Sequence, residues 1–131
     1  ANGLGLDAIR GAIPISGVYD FSLKATGDDK DQDKIKEAMR GMFTDDGENR
    51  KDASPILHIH KGVPPMMIIV AKKDPGSIRE QTAAFKKALE DAGEKPEYVF
   101  LKNEGHVSEI MRIGKFNDPI SEHVLRFIKT H

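Results

Sequence analysis

Residues 66–71, Met-Met-Ile-Ile-Val-Ala, carry no polar side chain, and this run constrains the chain more than any other stretch. Pro64 and Pro65 lead into it, and Lys72, Lys73, Asp74, Pro75 and Gly76 end it. A short apolar run bounded by turn formers reads as a strand buried on both faces. Such strands sit inside parallel sheets, where crossover helices cover each side. Asp74 then falls just beyond the C-terminal edge of the strand, the edge at which open α/β sheets gather ligands and reacting groups.

A parallel partner strand needs a crossover connection, and the next segment supplies one. Ile78, Phe85, Ala88, Leu89 and Ala92 recur on one stripe, so the spacing predicts a helix over residues 77–93, capped by Ser77 and stopped by Gly93. Residues 97–101, Glu-Tyr-Val-Phe-Leu, read as the returning strand, with Asn103, Glu104, Gly105 and His106 in the loop after it. An acid thus follows one strand and an imidazole the next. Gly105 is expected to permit the tight turn that aims His106 back over the sheet.

At 131 residues the chain has the size of one domain and can bury a core. Its 20 basic and 21 acidic residues give a formal charge of −1, so no basic surplus points to nucleic acid or an anionic membrane. The absence of cysteine removes disulfides, thiolate nucleophiles and sulfur metal sites, yet leaves the compartment open. No apolar run approaches the roughly 18 residues of a membrane helix, and no basic-then-apolar leader opens the sequence. The first residue is Ala1 and not methionine, which fits a processed, trimmed or excised segment.

The remaining segments read as follows. Residues 1–10 form a glycine-punctuated loop. Residues 11–16, from Gly11 to Ser16, form a short strand whose Pro14 lacks a ladder donor and so belongs at an edge or a bulge. Residues 17–20 leave the sheet, and Asp20 reads either as a turn former or as part of a pocket wall on the rim of Asp74 and His106. A charged loop over 24–34 runs into a helix over 32–42, with Ile35, Ala38, Met39 and Met42 as packing residues. Residues 44–50 are a polar turn, and one helical turn precedes Ser54-Pro55. His58 and His60 would project to one side of an extended chain, but no third metal ligand lies near them, and no metal is expected. Residues 107–113 read as a short helix. Asp118 and Pro119 start the last one, whose buried stripe is Ile120, Val124, Phe127 and Ile128, with His123 and His131 exposed.

Acyl transfer by a serine nucleophile needs three distinct groups: an attacking oxygen, an imidazole that takes and returns its proton, and a carboxylate that fixes the imidazole tautomer. Asp74 and His106 supply the last two if adjacent strands bring them together across 32 positions of sequence. Taken singly, each also reads as an ordinary turn or loop residue.

Residues 11–20 (Gly-Ala-Ile-Pro-Ile-Ser-Gly-Val-Tyr-Asp), 52–56 (Asp-Ala-Ser-Pro-Ile), 63–70 (Val-Pro-Pro-Met-Met-Ile-Ile-Val), Lys73-Asp74-Pro75 and Glu104-Gly105-His106 follow one another in a familiar order. In that order they resemble the C-terminal half of α/β-hydrolase esterases, most nearly the bacterial esterase- and lipase-like members of the carboxylesterase and hormone-sensitive-lipase-like groups. The resemblance implies a single domain over residues 1–131 with a partial α/β-hydrolase fold: a mainly parallel sheet of about three strands with flanking helices. It makes residues 11–16 the sixth family strand, Asp74 the triad acid after the seventh and His106 the triad histidine after the eighth. The implied activity is hydrolysis of carboxylic esters, with no cofactor.

The sequence contains neither a Gly-x-Ser-x-Gly elbow nor an HGGG-type loop. Ser16 and Ser108 both lack an elbow's flanking glycines. The nucleophile is therefore expected upstream, and the chain alone is expected to be inactive, since losing such a serine costs on the order of 10⁶ in turnover. The strand from Gly11 to Ser16 would then expose an edge, open to the missing N-terminal portion or to a second copy in a homodimer. Two other readings stand beside this one: a non-catalytic half-hydrolase binding module, and a peptidase of the prolyl-oligopeptidase type.

Overall fold

The computed structural model describes residues 8–22, 41 and 47–131. The charged loop over 24–34, the helix expected over 32–42 and most of the opening loop lie outside the described residues. In chain order the described elements are α1 (Gly47–Asp52), a 3-10 turn (Pro55–His58), β1 (Met67–Ala71), α2 (Gly76–Asp91), β2 (Glu97–Leu101), α3 (His106–Met111) and α4 (Ser121–Thr130).

β1 and β2 run parallel, in register from Met67 opposite Glu97 to Ala71 opposite Leu101. On the other side of β1, residues 12–15 also run parallel to it, through bridges from Ala12 to Met66 and from Ile15 to Ile69. The N–H of Ala12 donates to Pro65 O (2.9 Å), those of Met67 and Ile69 to Ala12 O (3.0 Å) and Pro14 O (2.9 Å), and that of Ser16 to Ile69 O (2.9 Å). This alternation calls for one more bond, from position 14 back to β1, and Pro14 has no N–H to give. The missing rung divides the expected strand into two bridges. Ile13 and Ile15 turn their N–H groups away from β1, and these groups have no partner among the described residues.

Every side chain of β1 is buried, and alternate ones enter two separate cores. Met67, Ile69 and Ala71 pack with Val99 and Leu101 of β2 against Ile120 and Phe127, at the start of and within α4. Ile68 faces the other way, toward Tyr19 and toward Phe85 and Leu89 of α2. Helices therefore cover both faces of a small parallel sheet, as the apolar run required. Tyr19 stacks on Phe85 with ring centroids 4.1 Å apart, which pins the segment leaving residues 12–15 onto α2.

Several boundaries differ from the sequence reading. α1 occupies residues that were expected as a polar turn through Arg50. α2 starts with Pro75 as N-cap and no side-chain cap, because Ser77 stands inside the first turn. Its buried stripe is Ile78, Thr82, Phe85 and Leu89, with Thr82 taking a core position while Ala88 and Ala92 sit only half-buried. Gly93 ends it with φ +89°, its N–H on Glu90 O (3.0 Å). α4 begins at Ser121, after Pro119. Asp118 caps it from outside, accepting the N–H groups of Ile120 (2.8 Å) and Ser121 (3.2 Å). A bond from the Ser121 hydroxyl, and after it the main-chain bonds, hold the Asp118 carboxyl well below the usual range. Ile128 is 62% exposed, since it lies roughly 80° round the helix from Ile120 and off the buried stripe. His123 is half-buried rather than exposed, and so is His131, which stacks on Phe127 at 4.4 Å.

Candidate active site

The C-terminal ends of residues 12–15, β1 and β2 meet at Asp74. Ser16 has φ +44°, a left-handed conformation that a non-glycine residue holds only under tertiary constraint, and it turns the chain out of the ladder. The next N–H on β1, that of Ala71, therefore lacks a strand partner and donates instead to Asp74 Oδ2 (2.7 Å). The Ser16 hydroxyl donates to the same oxygen (2.6 Å). Asp74 Oδ1 meets His106 Nδ1 at 2.9 Å. The Asp74 side chain is fully buried while that of His106 is half exposed.

Two main-chain bonds hold the loop of His106 against that of Asp74. Lys72 N–H donates to Leu101 O (2.9 Å) and Lys73 N–H to Glu104 O (3.1 Å). Gly105 serves here by its size. Its φ of −131° is open to any residue, but a Cβ would come within 3.3 Å of the Lys73 side chain, so the expected special turn is a close approach instead. Glu104 is buried and accepts from Ser108 Oγ (2.7 Å) and Arg112 Nη1, while Ser108 Oγ accepts from Gly105 N–H (2.9 Å). Arg112 Nη2 also holds Asn117 O (2.9 Å). These bonds fix the first turn of α3, where His106 begins the helix.

With Nδ1 facing a carboxylate, the imidazole places its Nδ1–H on Asp74 and leaves Nε2 as the basic nitrogen. Nε2 has no partner among the described residues. The two described clefts, one beside Pro64, Leu89 and His131 and the other beside Leu101, Arg112 and His123, include neither Asp74 nor His106.

One residue of this cluster escaped the sequence reading. Glu109, one helical turn after His106, is fully buried, and both its carboxyl oxygens lack a hydrogen-bond partner among the described residues. Burial pushes this carboxyl above its ordinary range, the negative charges of Asp74 and Glu104 add to that, and the neighbouring His106 opposes it. The i, i+3 spacing from His106 was the available signal. Asp74, His106 and Glu109 bring ligating atoms within 4.8 Å of one another, but Nδ1 and Oδ1 already engage each other, so Asp74 and His106 read as a hydrogen-bonded acid–base pair with the Glu109 carboxyl beside it.

The other candidates lie elsewhere. Ser108 donates to Glu104 and Ser16 to Asp74, so neither hydroxyl proton is engaged with the imidazole. Asp20 accepts from the N–H (2.8 Å) and hydroxyl (2.5 Å) of Ser22, the turn reading rather than a pocket wall. His58 ends the 3-10 turn instead of standing on an extended chain, and His58 and His60 bond the main-chain oxygens of Asp52 and Lys61.

Residues 7–131 match the model of the prolyl oligopeptidase family. The chain belongs to that family. A curated relative, esterase LipQ of Mycobacterium tuberculosis, is 31% identical over 105 residues, covering 79% of this chain and 25% of LipQ. Among solved structures, a butyrate-bound esterase 2 from Thermogutta terrifontis superposes with a TM-score of 0.60 at 22% identity, covering 92% of this chain and 42% of that one. The apo form of the same esterase gives 0.62 at 22% identity, over 91% and 40%. This member of the prolyl oligopeptidase family thus has a partial α/β-hydrolase fold, and the esterase likeness carried by its motifs is borne out. It spans a quarter of the length of LipQ and about two fifths of the esterase 2 chains.

Proposed function

We propose that residues 1–131 form one domain, the C-terminal portion of a carboxylic ester hydrolase, and that Asp74 and His106 act as its acid and base on a serine carried outside these residues. The observation that carries the proposal is the 2.9 Å bond between the buried Asp74 carboxylate and the half-exposed His106 imidazole. Nε2 takes the serine proton as the oxygen attacks the ester carbonyl, and Asp74 stabilises the imidazolium. His106 then returns the proton to the leaving alcohol, and water repeats the sequence on the acyl-enzyme. Short acyl groups suit this reading, because esterase 2 was captured with butyrate and with propionate. The N–H groups of Ile13 and Ile15, without a partner among the described residues, suit a strand of the serine-bearing portion, or of a second copy, added alongside.

Adding an upstream portion with a Gly-x-Ser-x-Gly elbow to this chain should generate hydrolysis of p-nitrophenyl butyrate. Tight association without turnover would favour a non-catalytic module. The family match favours peptide bonds as a second reading. Parallel turnover of the ester and of a peptide amide decides between them, and a preference for the amide would overturn the ester choice.

A further inference from the structure

α3 carries His106 at its start and an apolar surface beside it. With about 100° between successive residues, Ile110, Val107 and Met111 lie about 40°, 100° and 140° round the helix from His106, and Glu109 lies about 60° the other way. Burial follows that geometry. Glu109 is enclosed, whereas Val107 is 70% exposed, Met111 59% and Ile110 50%. Ser108 is engaged by Glu104 and Gly105, and Arg112, at the C-cap, by Glu104 and Asn117. The outward sector of α3 therefore offers an imidazole and three large apolar side chains, and exposed apolar residues clustered in this way mark a contact surface.

Small-molecule sites are concave, whereas this sector is the convex face of a helix, and the two described clefts include none of Val107, Ile110 and Met111. His106 points to the occupant. Its Nε2 has no partner among the described residues, and a serine oxygen must come within about 3 Å of that nitrogen to give up its proton. Ile110 is the i+4 neighbour of His106, with Cβ atoms about 6 Å apart. Whatever delivers a serine to Nε2 thus arrives against Ile110 and, further round, Val107 and Met111. LipQ and esterase 2 both carry far more chain than the part this one covers. We propose that Val107, Ile110 and Met111 form the seat on which the serine-bearing portion docks through an apolar surface of its own, so that assembly and the alignment of serine with Nε2 are one event. The identity of the occupant rests on the proposed function. Two contacts then hold the assembly, one beside residues 12–15 and one on the helix after β2.

Titration calorimetry of the 131-residue chain against the upstream portion, with its elbow serine changed to alanine, reads association without turnover. Val107→Asp and Met111→Lys put opposite charges on the sector, each at the end of α3 where the helix dipole favours it, so repulsion by a charged partner cannot explain a loss in both. Both positions are exposed, and the urea midpoint of the chain alone should not move. Each substitution should weaken Kd roughly tenfold to a hundredfold. Folded variants that bind within about twofold of wild type would overturn the proposal, whether or not the assembly with its serine restored hydrolyses p-nitrophenyl butyrate. So would a wild-type pair that does not associate. A chain that sediments alone as a dimer, and that Val107→Asp turns into a monomer, would assign the sector to a second copy and also overturn it. Weakened binding in both variants, with the serine-restored wild-type assembly inert toward the ester, would keep the docking seat and overturn the ester-hydrolase reading.

Discussion

Asp74→Ala removes one acceptor group from three donors. The bonds from Ser16 Oγ (2.6 Å) and Ala71 N–H (2.7 Å) both end on a fully buried carboxylate. Hydrogen bonds to charged groups contribute about 1.5–3 kcal/mol each, so their loss costs about 3–6 kcal/mol. The His106 bond adds less than about 1 kcal/mol, because the imidazole is half exposed and water can replace its partner. Against a typical stability of about 5–15 kcal/mol this is a severe loss. With a urea m-value of about 2 kcal/mol/M, the unfolding midpoint followed by circular dichroism should drop by about 1.5–3 M. Asp74→Asn separates stability from chemistry. Its amide oxygen can still face Ser16 and Ala71, so the midpoint should fall by no more than about 1 M. Its NH₂ then faces Nδ1, which forces the proton onto Nε2, and the imidazole can no longer serve as a base. Turnover in the active assembly should fall about 10⁴-fold. An Asp74→Ala midpoint within about 0.3 M of wild type would refute the buried, triply bonded carboxylate.

Other outcomes follow from the same structure. Pro14→Ala restores the missing donor opposite β1, so the amide introduced at position 14 should exchange slowly with deuterium at little net change in stability; rapid exchange would break the ladder assignment. Phe127→Ala empties the core between α4 and the sheet and should cost about 3–5 kcal/mol in urea unfolding. Because burial raises the carboxyl of Glu109, the stability tied to its neutral form is complete below its ordinary value of 4.5 and is lost as pH rises through the raised one. The Tm of Glu109→Gln should therefore gain on wild type as pH rises from about 5 to 9; parallel curves would show that Glu109 ionises freely.

The sheet and its rim were legible because they rest on local patterns. An apolar run closed by Asp74-Pro75-Gly76 admits few structures, and a helical stripe of sufficient length dictates a parallel return. The pairing of Asp74 with His106 then followed from topology. Less accessible was anything that depended on a third segment. The left-handed Ser16 arises where the ladder ends, and its hydroxyl reaches Asp74 over 58 positions of sequence. Glu109 looks like a surface glutamate of a short helix until its neighbours close over it. Helix starts were misplaced where proline geometry and a cap from outside the helix, at Pro75 and Asp118, overrode local preference. The reach of the buried stripes was misjudged at Thr82 and Ile128, where packing decided which flanking positions the core takes.

The role of Asp74 and His106 is tested most directly by turnover of p-nitrophenyl butyrate in the serine-bearing assembly, wild type against His106→Ala, with circular dichroism confirming that the variant is folded. If His106 is the base, kcat falls on the order of 10⁶-fold. A folded variant whose kcat stays within about tenfold of wild type would contradict that role, and the bond between Asp74 and His106 would then be structural alone.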